Sequence, residues 1–173
     1  MSTIISNTGI TFPSGNTQSS AGITSNNIPV LSVNYTSTTT IANSAYVKVP
    51  FNNVIKDTHS GWNSSNNSYT IQKSGYYQVN GSASVFAYYS GYSAPYLVIG
   101  LTRVNTSNAG SIQSGQFNGY SYGAVNAWGG TADAVMYFTA GNTVWVEAYG
   151  TVYAAPYSLY NENNWLNLYY IRS

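Results

Sequence analysis

The only imidazole in the chain, His59, stands two residues after Asp57. On an extended strand that spacing puts both side chains on one face, as a carboxylate-oriented general base requires. Nucleophilic catalysis also needs a nucleophile and an oxyanion hole, and Asp57-Thr58-His59 runs directly into Ser60-Gly61, which reads as a loop. No catalytic residue is expected there. The other carboxylates, Asp133, Glu147 and Glu162, are scattered. Their spacing does not promote a glycosidase pair, and no Asp-rich loop of the kind that holds a hard cation occurs. Lys48, Lys56, Lys73, Arg103 and Arg172 read as solvated or singly paired and not as a binding patch. With no Cys, thiol chemistry and Cys-based zinc sites are excluded. No metal and no cofactor is expected.

Aromatic residues carry more chemistry than the ionisable ones. The stretch Phe86-Ala87-Tyr88-Tyr89-Ser90-Gly91-Tyr92-Ser93-Ala94-Pro95-Tyr96 and the run containing Tyr149, Tyr153, Tyr157 and Tyr160 set Tyr beside Ser, Asn and Pro. Rigid aromatics with short polar neighbours suit contact with a sugar or another protein. The competing reading is burial at a seam between subunits. Tyr89 and Tyr92, at the tip of the first stretch, are the candidate surface-contact pair.

The elements that must position these residues follow from composition. Of 173 residues, 5 are Lys or Arg and 4 Asp or Glu, about a fifth of the usual charged fraction. The 24 Ser, 17 Thr and 21 Asn make over a third of the chain, so hydroxyls and amides must hydrate the surface. With 43% hydrophobic residues and 18 Tyr there is apolar mass for a core, which argues against disorder. A net charge of +1 offers no footprint for a phosphate backbone or an anionic membrane, so neither nucleic acid nor membrane insertion is expected. The N-terminus, Met1-Ser2-Thr3-Ile4-Ile5-Ser6-Asn7, lacks a basic and then apolar leader, and no stretch is long and apolar enough to span a bilayer.

Residues 1 to about 44 are rich in Ser, Thr and Asn, with isolated apolar residues and no helical period. They read as an extended N-terminal arm, ordered only by a neighbour. From Ala45 to Ser173 the texture becomes apolar runs of four to twelve residues broken by Gly, Asn, Ser and Pro, the pattern of an all-β domain. Candidate strands are Tyr46 to Val49, Ser68 to Gln72, Tyr76 to Tyr88, Tyr96 to Val104, Ala124 to Ala127, Ala132 to Phe138, Thr143 to Tyr153 and Trp165 to Arg172. In the third, Tyr77, Val79, Gly81, Ala83 and Val85 share one face, and Gln78, Asn80, Ser82 and Ser84 the other. Val144, Val146 and Ala148 alternate likewise with Thr143, Trp145 and Glu147. Turn signals fall at Lys73-Ser74-Gly75, Ser90-Gly91, Asn108-Ala109-Gly110, Gly129-Gly130 and Ala140-Gly141-Asn142. About eight strands in roughly 130 residues predict an antiparallel β-sandwich or jelly roll.

Three segments carry a resemblance. Phe51-Asn52-Asn53-Val54, then Gly75-Tyr76-Tyr77-Gln78-Val79, then Gly141-Asn142-Thr143-Val144-Trp145-Val146 occur in that order before a closing aromatic strand, Trp165 to Ile171. Over residues 45 to 173 the chain resembles the complement globular-head and tumour-necrosis-factor-like jelly rolls. That resemblance implies a tight threefold homotrimer with aromatic sheets packed about the axis. The arm segment Gly9-Ile10-Thr11-Phe12-Pro13-Ser14-Gly15-Asn16-Thr17-Gln18-Ser19-Ser20-Ala21 is similar to a stretch found in structural proteins of tailed bacteriophages, with Ser14 where those have Asp. It implies an anchoring arm in which Ile10, Phe12 and Pro13 make the contacts, other virion proteins as partners, and the virion as location. Two roles fit such a module: capsid decoration, or a tail or fibre unit that touches host glycan. A secreted carbohydrate-binding lectin of the same fold is the alternative.

Overall fold

A computed structural model describes residues 4–6, 9–11, 17–18, 28–41, 45–88, 96–107, 112–113, 117–121, 125–152, 157–159 and 163–173. Every described element is a strand. In chain order they are β1 (Ile4–Ser6), β2 (Gly9–Thr11), β3 (Thr17–Gln18), β4 (Val30–Asn34), β5 (Thr39–Ile41), β6 (Ala45–Lys48), β7 (Asn53–Asp57), β8 (Trp62–Asn63), β9 (Ser68–Thr70), β10 (Gly75–Tyr88), β11 (Tyr96–Thr106), β12 (Ile112–Gln113), β13 (Phe117–Ser121), β14 (Val125–Phe138), β15 (Thr143–Val152), β16 (Tyr157–Leu159) and β17 (Trp165–Arg172).

Two antiparallel sheets enclose one core. In the first, β10 pairs with β14 on one side and with β17 and β16 on the other; β17 continues to β4 and β4 to β7, while β16 pairs with β5. In the second, β15 lies between β11 on one side and β6 and β9 on the other, with β8 beyond β9 and β12 and β13 on the far side of β11. The short strands β1, β2 and β3 form a separate three-stranded sheet.

Alternation decides which residues fill the core. Tyr77, Val79 and Ala83 of β10 are buried, and their face continues through Leu166 and Leu168 of β17 to Val33 and Leu31 of β4. Val144, Val146 and Ala148 of β15 meet them from the other sheet, with Val49, Phe51, Tyr69 and Ile71 in the same cluster. The Tyr77 ring stands edge-on to Phe138 and Tyr170 at 5.8 and 5.4 Å between centroids. Its hydroxyl donates to the Lys73 carbonyl at 2.7 Å, so a polar tip is accommodated in an apolar layer. The predicted turn at Ala140-Gly141-Asn142 forms: the Asn142 amide donates to the Thr139 carbonyl, and Gly141 takes φ +92°, which side chains other than hydrogen resist.

Three expectations change. The boundary near residue 44 moves toward the N-terminus, because β4 is a strand of the first sheet and Leu31, Val33 and Tyr35 are buried. A five-residue strand in a Ser/Thr/Asn-rich stretch cannot hold itself together, but pairing with both β17 and β7 satisfies its backbone and covers its apolar residues. At Gly129-Gly130 the expected turn is absent. The strand runs straight through, in register with Ser84 and Ala83, because the unbroken β10 ladder supplies partners and overrides the local preference. Ser82 and Ser84, expected on the face opposite the apolar one, are buried as well: the Ser82 hydroxyl contacts the Gly130 and Asn163 carbonyls, and the Ser84 backbone N–H donates to Asn164 Oδ1.

The new boundary separates two truncations. Removing residues 1–27 should leave the far-UV spectrum and Tm of the body unchanged. Removing residues 1–44 should give an unfolded or aggregated product, because β4 and β5 go with it. Leu31→Ala should destabilise the full chain by about 2–5 kcal/mol. A cooperatively folded 45–173 fragment of undiminished Tm would contradict the placement of β4 in the core.

Candidate functional site

The distinctive surface is the face of the first sheet that points away from the core. Placing Tyr77 and Val79 inward forces Tyr76, Gln78 and Asn80 outward, and the register then sets Tyr137, Val135 and Asp133 of β14 opposite them. On the other side Gln78 faces Tyr169, and Asn80 faces Asn167. Val135 is 61% exposed, Tyr137 51%, Ile171 50%, Tyr169 45% and Tyr76 40%. Large apolar groups at that exposure on one contiguous face mark an interaction surface. Tyr76 and Tyr137 pack edge to face at 5.3 Å, and the Arg172 guanidinium lies 5.5 Å from the Tyr76 ring centroid.

Beside this apolar end the face becomes polar in an ordered way. The Trp165 indole N–H donates to Asn80 Oδ1, and the Asn80 amide donates to Asp133 Oδ1. A chain of hydrogen bonds thus runs from a half-buried indole through the Asn80 amide to an exposed carboxylate.

On the second sheet, Glu147 is buried and registers between Arg103 of β11 and Lys48 of β6. The Trp145 indole donates to Glu147 Oε1 at 2.7 Å, and Lys48 Nζ sits 4.2 Å over the Trp145 ring. Lys48, Arg103 and Glu147 lie far apart in sequence, and only strand pairing lines them up.

Asp57 and His59 do not form a catalytic pair. Asp57 ends β7, and its carboxylate accepts backbone N–H groups from His59, Gly61 and Trp62 at 3.2, 3.3 and 2.9 Å. The imidazole instead meets its neighbour, with His59 Nδ1 2.8 Å from Thr58 Oγ1, and that hydroxyl also contacts the Ile28 carbonyl at 2.9 Å. This carboxylate organises a loop. A Cβ on Gly61 would lie 2.5 Å from Tyr69 Cε2, so the loop closes directly over that ring. Asp133 and Glu147 stand on different sheets. Among the described residues no three of His, Asp and Glu gather as metal ligands would. Ile10 lies in β2, paired with Gln18 of β3. Tyr89, Tyr92, Phe12, Pro13 and Glu162 lie outside the described residues.

Sequence reasoning did not single out the outward face. Its signal was present in Ala134-Val135-Met136-Tyr137-Phe138, where both faces are apolar and periodicity does not say which is buried. Pairing with β10 answers it by turning Ala132 and Phe138 in and Val135 and Tyr137 out.

Two antiparallel sheets with this strand order define a jelly-roll sandwich of the complement globular-head and tumour-necrosis-factor-like fold. The globular domain of a zebrafish complement 1qA protein matches with TM-score 0.55 at 19% identity, over 84% of this chain and 99% of that one. Eiger TNF from S. frugiperda matches with TM-score 0.55 at 11% identity over 84% of this chain and 94% of its own. Murine APRIL matches with TM-score 0.52 at 13% identity over 83% and 99%. The chain matches no family profile and no curated protein sequence.

Burial raises the Tyr77 phenol to about 12; the Tyr69 phenol is likewise raised, by burial first and then by the Asp57 carboxylate. In both cases the folded state holds the proton more tightly than the unfolded chain. Stability should therefore be complete below about pH 10 and fall as pH rises from there toward 12, as an alkaline unfolding titration followed by circular dichroism would record. The two hydroxyls should differ under mutation. The Tyr69 hydroxyl is buried with no hydrogen-bond partner among the described residues, so Tyr69→Phe should be neutral or stabilising. Tyr77→Phe breaks the bond to Lys73 and should cost about 1 kcal/mol. A clear fall in Tm for Tyr69→Phe would mean that this hydroxyl has a partner.

Proposed function

We propose that this chain is a non-enzymatic surface module of a bacteriophage virion that works as a homotrimer and is held to the particle by its N-terminal segment. The observation that carries the self-association is the outward face of the first sheet, where Tyr76, Val135, Tyr137, Tyr169 and Ile171 are all exposed. Covering that face with further copies removes its apolar area from water, and proteins of this fold commonly assemble as trimers. The virion assignment rests on the stretch from Gly9 to Ala21 and on a surface hydrated by Ser, Thr and Asn with few charges. Capsid decoration and a tail or fibre position use the same design, an attachment segment and a folded body. The revised boundary shortens the attachment segment to about residues 1–27.

Sedimentation equilibrium at micromolar concentration should give three times the 18.6 kDa chain mass. Replacing Val135 and Tyr137 together by Ser should shift the protein toward monomer, at about 1–3 kcal/mol for each side chain that anchors the contact, without changing the far-UV spectrum. Deletion of residues 1–27 should keep the trimer and abolish incorporation into particles. A monomeric wild type would overturn the assembly, and normal incorporation of the truncated chain would overturn the anchoring role.

A further inference from the structure

We infer that copies of this chain join head to tail across the outward face, with Asp133 of one copy forming an ion pair with Lys56 of the next. The inference rests on the self-association proposed above and specifies its geometry. Strand register places Lys56 opposite Ser32, Ser32 opposite Asn167, Asn167 opposite Asn80, and Asn80 opposite Asp133. Lys56, Ser32, Asn167, Asn80 and Asp133 therefore form one transverse polar row across five adjacent strands, β7, β4, β17, β10 and β14. It is cationic at one edge and anionic at the other.

Neither end is neutralised among the described residues. Five strands at the usual spacing separate the row's ends by about 19 Å, too far for the two charges to meet. The Lys56 side chain is exposed and makes no hydrogen bond or ion pair among the described residues, and the Asp133 carboxylate has Asn80 as its partner. Asp133 is the one carboxylate on this face among the described residues; the other cation there, Arg172, stands at the far end against Tyr76.

Opposite charges at opposite edges dictate the mode of contact. Two β14 edges brought together about a twofold axis would set Asp133 against Asp133, a like-charge contact that costs energy when desolvated. A β14 edge set against the β7 edge of the next copy pairs carboxylate with amine. A contact between two different edges leaves each copy with one of each still open, so it propagates, and a rotation that closes makes it a ring.

Charge reversal tests this on the full chain. Asp133→Lys and Lys56→Asp should each raise the concentration at which the assembly dissociates about tenfold or more, while the double variant returns to within about threefold of wild type. Neutral variants Asp133→Asn and Lys56→Gln should fall between, and far-UV spectra establish that each variant is folded. Wild-type dissociation should also become easier as salt is raised. A wild type that associates while the double reversal stays as weak as the single ones overturns the ion pair and leaves self-association standing. So does a wild type whose single reversals change nothing. A monomeric wild type removes both.

Discussion

Everything on the outward face depends on one constraint, the two-residue period of β10. Its fourteen residues pair along their whole length with β14 and for much of it with β17. Sending Tyr77, Val79 and Ala83 into the core leaves Tyr76, Gln78 and Asn80 no choice but to face outward. The same parity then passes to β14, β17 and β4. A slip of one residue would exchange the core for the surface on every one of them.

The chain's scarcity of charge shapes how it uses the few it has. Asp57 is spent on three loop amides, Glu147 sits buried beside Trp145 and in register with Lys48 and Arg103, and Asp133 stands exposed at a sheet edge. The first two are local or cross-strand structural devices. Asp133 differs because, among the described residues, it is met by Asn80, itself bonded to Trp165, and not by a cation. In a protein whose surface is mostly hydroxyl and amide, an isolated charge is a strong orienting signal for a partner, since few others compete with it.

Tyrosine has two separate uses in this fold. Tyr69 and Tyr77 are fully buried core residues; the Tyr77 hydroxyl is bonded to backbone, and the Tyr69 hydroxyl has no partner among the described residues. Tyr76, Tyr137 and Tyr169 stand outward, one residue in parity from the core set. Their number reflects two layers, an internal one and one available for contact.

The sequence by itself determined the all-β class, the alternating faces of β10 and β15, the Gly141 turn and the closing strand from Trp165, because these follow from interactions within a few residues. It also displayed the order of motifs by which the jelly roll was recognised. Tertiary structure alone decided the rest. Val30–Asn34 lies in a polar stretch and reads as an arm until Leu31 and Val33 meet Leu168 and Leu166 from the far end of the chain. Gly129-Gly130 reads as a turn until β10 holds it extended. Lys56 and Asp133 share a row only because four strand registers align them. Local pattern specifies which way neighbouring side chains alternate; which of the two faces is covered, and what lies across it, depends on contacts between residues distant in sequence.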